Sequence, residues 1–167
     1  FGQEGLHKIP VDGGFRMDLA ALAGAIAEDR AKGCRPCCVV ATVGTTSTTS
    51  IDPVPAIAAI CREEGLWLHV DGAIGAVFAL VPSHAQRVPD LGLADSLTVN
   101  PQKLLGITKT SSLLLLRRPE LLAQCFATGL PYMEPSWADA HGGECGLQGT
   151  RPAEILKLWL GLRQLGL

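Results

Sequence analysis

Two short apolar runs, at residues 37–43 (CCVVATV) and 66–70 (LWLHV), flank a segment with helical spacing. That alternation constrains the fold more than any other feature of the chain. Runs this short, with little apolar–polar alternation, are expected of strands covered on both faces, as in a parallel sheet. Between them Asp52-Pro53 is a helix start signal, Ile57, Ile60 and Cys61 share one helical face, and Gly65 marks the stop. Upstream, Asp18 precedes a helical pattern through Leu19, Leu22, Ile26 and Arg30 that ends at Gly33. Downstream, residues 95–100 (DSLTVN) and 111–116 read as further strands, and 119–126 and 152–165 as helices. Strand, helix, strand in this order predicts right-handed crossovers and a mostly parallel sheet flanked by helices, an α/β fold.

Of the 167 residues, 47% are hydrophobic, enough for a core that needs no disulfide staples. The six cysteines are therefore read as reduced thiols of a cytoplasmic protein. The formal charge is 14 minus 16, or −2, without a Lys/Arg cluster interleaved with aromatics, so nothing points to nucleic acid. No apolar run approaches the roughly 18 residues of a membrane span, and FGQEGLHKIPVDGG lacks the plan of a signal peptide. The chain begins without Met and ends inside a helical pattern, so both ends read as cuts through a larger domain.

Ligands of open α/β sheets sit beyond the carboxyl ends of the strands. Three polar groups fall there: Thr45 and Thr46, Asp71, and Asn100 through Lys103. Taken alone, Asp71 is as readily a turn cap, and Lys103 a solvated charge. Taken together they fit one chemistry. Pyridoxal phosphate needs a lysine amine for its Schiff base and a carboxylate at its pyridinium nitrogen. That carboxylate keeps the nitrogen protonated, so the ring can accept the electron pair left when a bond to Cα breaks.

The stretches ATVGTTSTTSIDP, LWLHVDGAIGA and ADSLTVNPQKLLG, in this order, resemble the group II pyridoxal-phosphate-dependent amino-acid decarboxylases. That family includes the aromatic amino-acid, tyrosine, glutamate, cysteine-sulfinate and diaminobutyrate decarboxylases. The likeness extends to the closing LQGTRPAEILKLWLGLRQLG. It implies fold type I, the aspartate-aminotransferase-like fold, with residues 1–167 forming part of the cofactor-binding large domain. The missing parts would be an N-terminal portion and a small C-terminal domain. It further implies a homodimer with the site at the subunit interface, and decarboxylation of an L-amino acid to an amine and carbon dioxide. By motif, Lys103 would hold the cofactor covalently, Asp71 would meet the pyridine nitrogen, and Ala73 would pack on the ring. Thr46, Asn100 and Gln102 would be cofactor contacts, and His69 an orienting or packing residue. Tyr132 resembles the family's mobile-loop tyrosine, thought to protonate Cα after carbon dioxide leaves. One departure stands out: the family usually has His before the lysine (NPHK), and this chain has Gln102, which hydrogen-bonds but carries no titrating proton.

Other readings keep the cofactor with another outcome (transaminase, lyase, aldehyde synthase) or give up turnover for a cofactor-binding scaffold. A redox or zinc module on Cys34-Arg35-Pro36-Cys37 is disfavoured. No second ligand pair follows at finger-like spacing, and the pair precedes a strand rather than a helix. The sequence leaves the substrate open: residues 42–53 look closer to the aromatic group, and the segment after Lys103 with LQGTR closer to the acidic and diamino group. The roles of Arg151 and Lys109 stay open too.

Overall fold

The computed structural model describes residues 2–108, 111–130 and 142–166. In chain order the elements are α1 (Leu19–Ala31), β1 (Cys38–Thr42), α2 (Val54–Glu64), β2 (Trp67–Asp71), α3 (Pro82–Ala85), β3 (Ser96–Val99), β4 (Leu113–Leu116), α4 (Glu120–Phe126) and α5 (Ile155–Leu165). Contacts divide the chain into two compact units, Phe1–Leu115 and Leu116–Leu167. The sheet order is β1-β2-β3-β4. β2 pairs in parallel with β1 and with β3, setting Asp71 opposite Thr42 on one side and Thr98 on the other.

Local signals explain the helix boundaries. The Asp18 side chain accepts hydrogen bonds from Ala20 N (2.8 Å) and Ala21 N (3.0 Å) and so caps α1. Gly65 ends α2 at φ +67°, a left-handed conformation that glycine adopts without strain. Asp52 does not cap α2 as its position suggested. Pro53 occupies the cap, and the Asp52 carboxylate instead accepts from Met17 N and Thr42 N, both at 2.7 Å. Among the described residues β1 lies at the edge of the sheet, so its outward N–H groups need partners from outside the ladder. Asp52→Ala leaves two backbone donors without their acceptor and is expected to lower unfolding free energy by about 1–3 kcal/mol. Asp52→Asn, with one acceptor oxygen, should fall between. Urea denaturation measures both.

Burial alternates along β1 and β2: Val39, Ala41, Leu68 and Val70 are buried, while Trp67, His69 and Asp71 are half-buried. The buried side forms one core with Leu22 and Ile26 of α1 and Val54, Ile57, Ala58 and Cys61 of α2. Ile57, Leu68 and Val70 are at most 1% exposed, each worth about 1.5–3 kcal/mol of burial. Among the described residues the expected cover is complete on this face. The other face is, among the same residues, covered unevenly: Val40 is 54% exposed on β1, His69 is half-buried on β2, and Ser96 is 7% exposed on β3. CCVVATV hid this asymmetry, because Cys and Val are apolar on whichever face they lie.

Between β2 and β3 the chain forms 3-10 turns (Gly75–Leu80 and Leu91–Leu93) and the single-turn α3 in place of a long helix. Ala76, Val77 and Val99 build a second small core there, with Leu97, Leu105 and Leu113 packed against it. In the second unit, the buried Glu144 carboxylate accepts from the Thr128 backbone N–H and, at 2.8 Å, from its hydroxyl. Arg151 is exposed and its Nε donates to Gln148 O at 2.9 Å. Tyr132 and Lys109 lie outside the described residues.

Candidate active site

Asp71 is the last residue of β2. Its main-chain oxygen accepts from Val43 N at 2.9 Å, and its carboxylate Oδ1 accepts from Ala73 N at 3.0 Å. The carboxylate makes no other hydrogen bond among the described residues, so Oδ2 is left for an incoming donor. Beyond the strand ends the chains of β2 and β3 continue side by side: Gly72 N donates to Thr98 O (3.0 Å) and Asn100 N to Ala73 O (3.4 Å). Lys103 follows in the next turn, its N–H bonded to Asn100 O at 3.0 Å. Asp71 and Lys103 thus emerge at the same carboxyl edge, from neighbouring strands.

The Lys103 turn is anchored at its base. Pro101 is fully buried, Ile107 is buried with its N–H on Pro101 O (3.3 Å), and the Ser112 hydroxyl donates to Asn100 Oδ1. Lys103 itself is exposed, with no ion pair or side-chain hydrogen bond among the described residues. Beside it Gln102 is half-buried, and among the described residues its buried Oε1 has no hydrogen-bond partner; nor has the buried Ser111 Oγ. Such an orphan costs free energy unless a ligand meets it. Half a turn of the amide exchanges its oxygen for two N–H donors, the groups an anion requires.

Glycines let the strand-end turns close on one another. Gly44, at φ +82°, lies against Gly75, where a Cβ would fall 2.5 Å from Val43 O. At Gly72 a Cβ would meet Ala76 Cβ at 2.6 Å and Leu97 Cδ1 at 2.8 Å. Gly75→Ala must displace main chain and is expected to cost about 1–3 kcal/mol of stability, read by denaturant unfolding. Next to Gly44, the hydroxyls of Thr45, Thr48 and Ser50 form a triangle with edges of 2.7, 2.9 and 3.1 Å. Thr46 is exposed and stands outside that triangle.

His69 shares the Asp71 face of β2, two residues earlier. Its Nδ1 lies 2.7 Å from Ser96 Oγ and its Nε2 lies 3.2 Å from Thr98 Oγ1. The Trp67 indole N–H donates to the same Ser96 Oγ at 2.8 Å. Burial pushes the His69 pKa below its ordinary 6.5, and the Asp71 charge opposes that shift without overcoming it. As pH falls through 6.5, the unfolded chain takes up a proton that the folded ring resists, so this group makes folding less favourable in acid.

The structure therefore gathers Asp71, Ala73, Asn100, Gln102 and Lys103 at one edge of the sheet, with His69 behind Asp71 and Thr46 beyond the β1 end. The hydroxyl partners of His69 were not legible in the sequence, because pairing Ser96 with His69 requires knowing the β2/β3 register. Among the described residues no group of three or more His, Cys, Asp or Glu is placed to hold a metal, and Cys34 and Cys37 are exposed free thiols. None of the described helices is long and apolar enough to cross a membrane.

A carboxylate with one oxygen unengaged, an amine and an amide oxygen without partners among the described residues, and small residues at adjacent strand ends fit pyridoxal phosphate. Their place at the carboxyl edge of a sheet puts the chain in the class of α/β segments able to hold such a cofactor. The pyridoxal-dependent decarboxylase conserved domain matches residues 1–167, and the chain belongs to that family. Its sequence is 33% identical to an aromatic-L-amino-acid decarboxylase of Bacillus atrophaeus, over 99% of this chain and 35% of that protein. It is 31% identical to an acidic amino acid decarboxylase of Bos taurus, over 99% of this chain and 33% of that one. The fold is similar to that of mouse CSAD, with TM-score 0.86 and 35% identity over 95% of this chain and 33% of that chain. It is similar also to Oryza sativa TDC, solved with PLP and tryptamine, with TM-score 0.89 and 27% identity over 98% of this chain and 35% of that chain. The chain spans about a third or less of the length of the curated relatives it matches.

Proposed function

We propose that this chain is the cofactor-holding part of an enzyme that decarboxylates an L-amino acid to its amine and carbon dioxide, with pyridoxal phosphate bound at the carboxyl edge of the sheet. The observation that carries this reading is the placing of Asp71 and Lys103 on neighbouring strand ends, where among the described residues neither Asp71 Oδ2 nor the Lys103 amine has a partner. The bound cofactor supplies an electron sink for the bond that breaks at Cα.

The residues divide the work. Lys103 would hold the cofactor covalently, and covalent catalysis of this kind splits one hard step into easier ones. Asp71, its Oδ1 fixed by the Ala73 N–H, would hold the proton on the pyridine nitrogen through Oδ2, and the small Ala73 side chain would leave room for the ring. Asn100 sets the turn that carries Lys103, through its main-chain oxygen and the Ser112 contact. Gln102, with its amide turned, would donate to the phosphate, and Thr46 would add a hydroxyl from the β1 end. His69 would orient rather than react, and Tyr132 would be the group that holds the proton for Cα. The whole protein would be a cytoplasmic homodimer with residues 1–167 in its large domain, an N-terminal portion before them and a small domain after.

The test is a screen of the protein at its full natural length against tyrosine, DOPA, tryptophan, glutamate, aspartate, cysteine sulfinate and diaminobutyrate. Amine and carbon dioxide in equal amounts support the reading. A keto acid or an aldehyde as the carbon product would replace decarboxylation by transamination or aldehyde synthesis, and no turnover of any substrate despite bound cofactor would favour a scaffold.

A further inference from the structure

Trp67, His69 and Asp71 alternate along β2 and so share one face; Ser96 and Thr98 on β3 stand directly opposite His69 and Asp71. Across that face runs a chain of hydrogen bonds with a defined starting direction. An indole N–H only donates, so Trp67 occupies one lone pair of Ser96 Oγ at 2.8 Å. The hydroxyl is left with one proton and one lone pair for His69 Nδ1 at 2.7 Å, while Thr98 Oγ1 meets Nε2 at 3.2 Å. Both ring nitrogens are thereby engaged by neutral hydroxyls, and Ser96 is only 7% exposed.

We infer that Ser96 is a positioning residue: oriented by the Trp67 indole, it locks the His69 ring against the sheet so that no second cation competes for the Asp71 carboxylate. The inference rests on Asp71 being the carboxylate that meets the cofactor's pyridinium. A protonated imidazole two residues away on the same face would be its rival. Hydroxyls bring no charge to favour the imidazolium, and partial burial disfavours it. The other charged and titratable neighbours do not change this balance. On β1, the Cys38 thiol is pushed up by burial and stays neutral. On β3, the Asp95 carboxylate is engaged by Leu68 N at 2.9 Å. On β2, Asp71 is the one charge that draws a proton toward the ring. Once freed from Ser96, the ring can turn, hydrate and pair with Asp71 as a cation.

The experiment is a titration of pyridoxal phosphate into the apo form of the full-length protein, followed by visible absorption, at several values between about pH 6 and about pH 8. Wild type, Ser96→Ala, Ser96→Thr and Ser96→Ala/His69→Asn are compared, so that the cofactor's own ionisation is common to all. The expected result is an additional affinity loss of about tenfold at the acid end for Ser96→Ala, the equivalent of one unit of histidine pKa. Ser96→Thr keeps the hydroxyl and should follow wild type, and the double variant, without an imidazole, should lose the additional pH dependence. A Ser96→Ala profile parallel to wild type overturns the inference and leaves the cofactor site standing. A wild type that takes up no pyridoxal phosphate at any pH overturns the site itself and this inference with it. If circular dichroism shows Ser96→Ala unfolded, Trp67→Phe replaces it under the same criterion, since it removes the donor that orients Ser96.

Discussion

Lys103→Ala, in the protein at its full natural length, is expected to abolish covalent retention of the cofactor and to lower turnover at least about a thousandfold, or about 4 kcal/mol. Lys103 stands in an exposed turn after β3 and makes no ion pair or side-chain hydrogen bond among the described residues, so its loss should leave folding intact. That separates this prediction from an ordinary stability defect. Lys103→Arg isolates the chemistry further: it keeps a cation in the same turn but cannot form a carbon–nitrogen double bond with an aldehyde. Borohydride reduction of the loaded protein, followed by peptide mass analysis, reads the result directly. Wild type should carry the cofactor's mass on the peptide containing Lys103, and neither variant should. A trapped adduct at another lysine, or an active Lys103→Ala enzyme, removes the site assignment.

How far the sequence foretold this arrangement depends on what each residue had to signal. The strands, the two long helices of the first unit and the parallel order were legible, because apolar runs and glycine stops are local properties of the chain. Asp18 was legible as a cap for the same reason. Asp52 was not: the same residue type in the same position serves Met17 N and Thr42 N, donors 35 and 10 residues away. The turns between β2 and β3 escaped as well, since GAIGAVFAL offers apolar residues without a helical stripe. Asp71 and Lys103 were legible only as a pair at strand ends. The Ser96–His69 contact depends on the register of β2 against β3, which no local pattern encodes. Ser96 reads in sequence as a small polar residue at the start of a strand and nothing more.

The second large effect is expected at Asp71, and the choice of replacement decides what is learned. Asp71→Ala removes both the charge and the Oδ1 acceptor that fixes the Ala73 N–H at 3.0 Å, so it mixes an electrostatic loss with a loosened turn. Asp71→Asn keeps an acceptor for Ala73 and removes the charge alone. With a neutral amide, the pyridine nitrogen has no counter-charge to hold its proton, and the electron pair released at Cα has a poorer sink. Preorganised charge of this kind is worth most where water is excluded, and removing one such group typically costs at least about 100-fold in kcat, or about 2.7 kcal/mol. Because the charge acts on the reacting state, kcat and kcat/KM should fall together, with KM little changed. Stability in urea should stay near wild type for Asp71→Asn and drop further for Asp71→Ala. An Asp71→Asn enzyme with wild-type kcat would show that the electron sink does not depend on this carboxylate, and the assignment of the β2 tip to the pyridine nitrogen would fall.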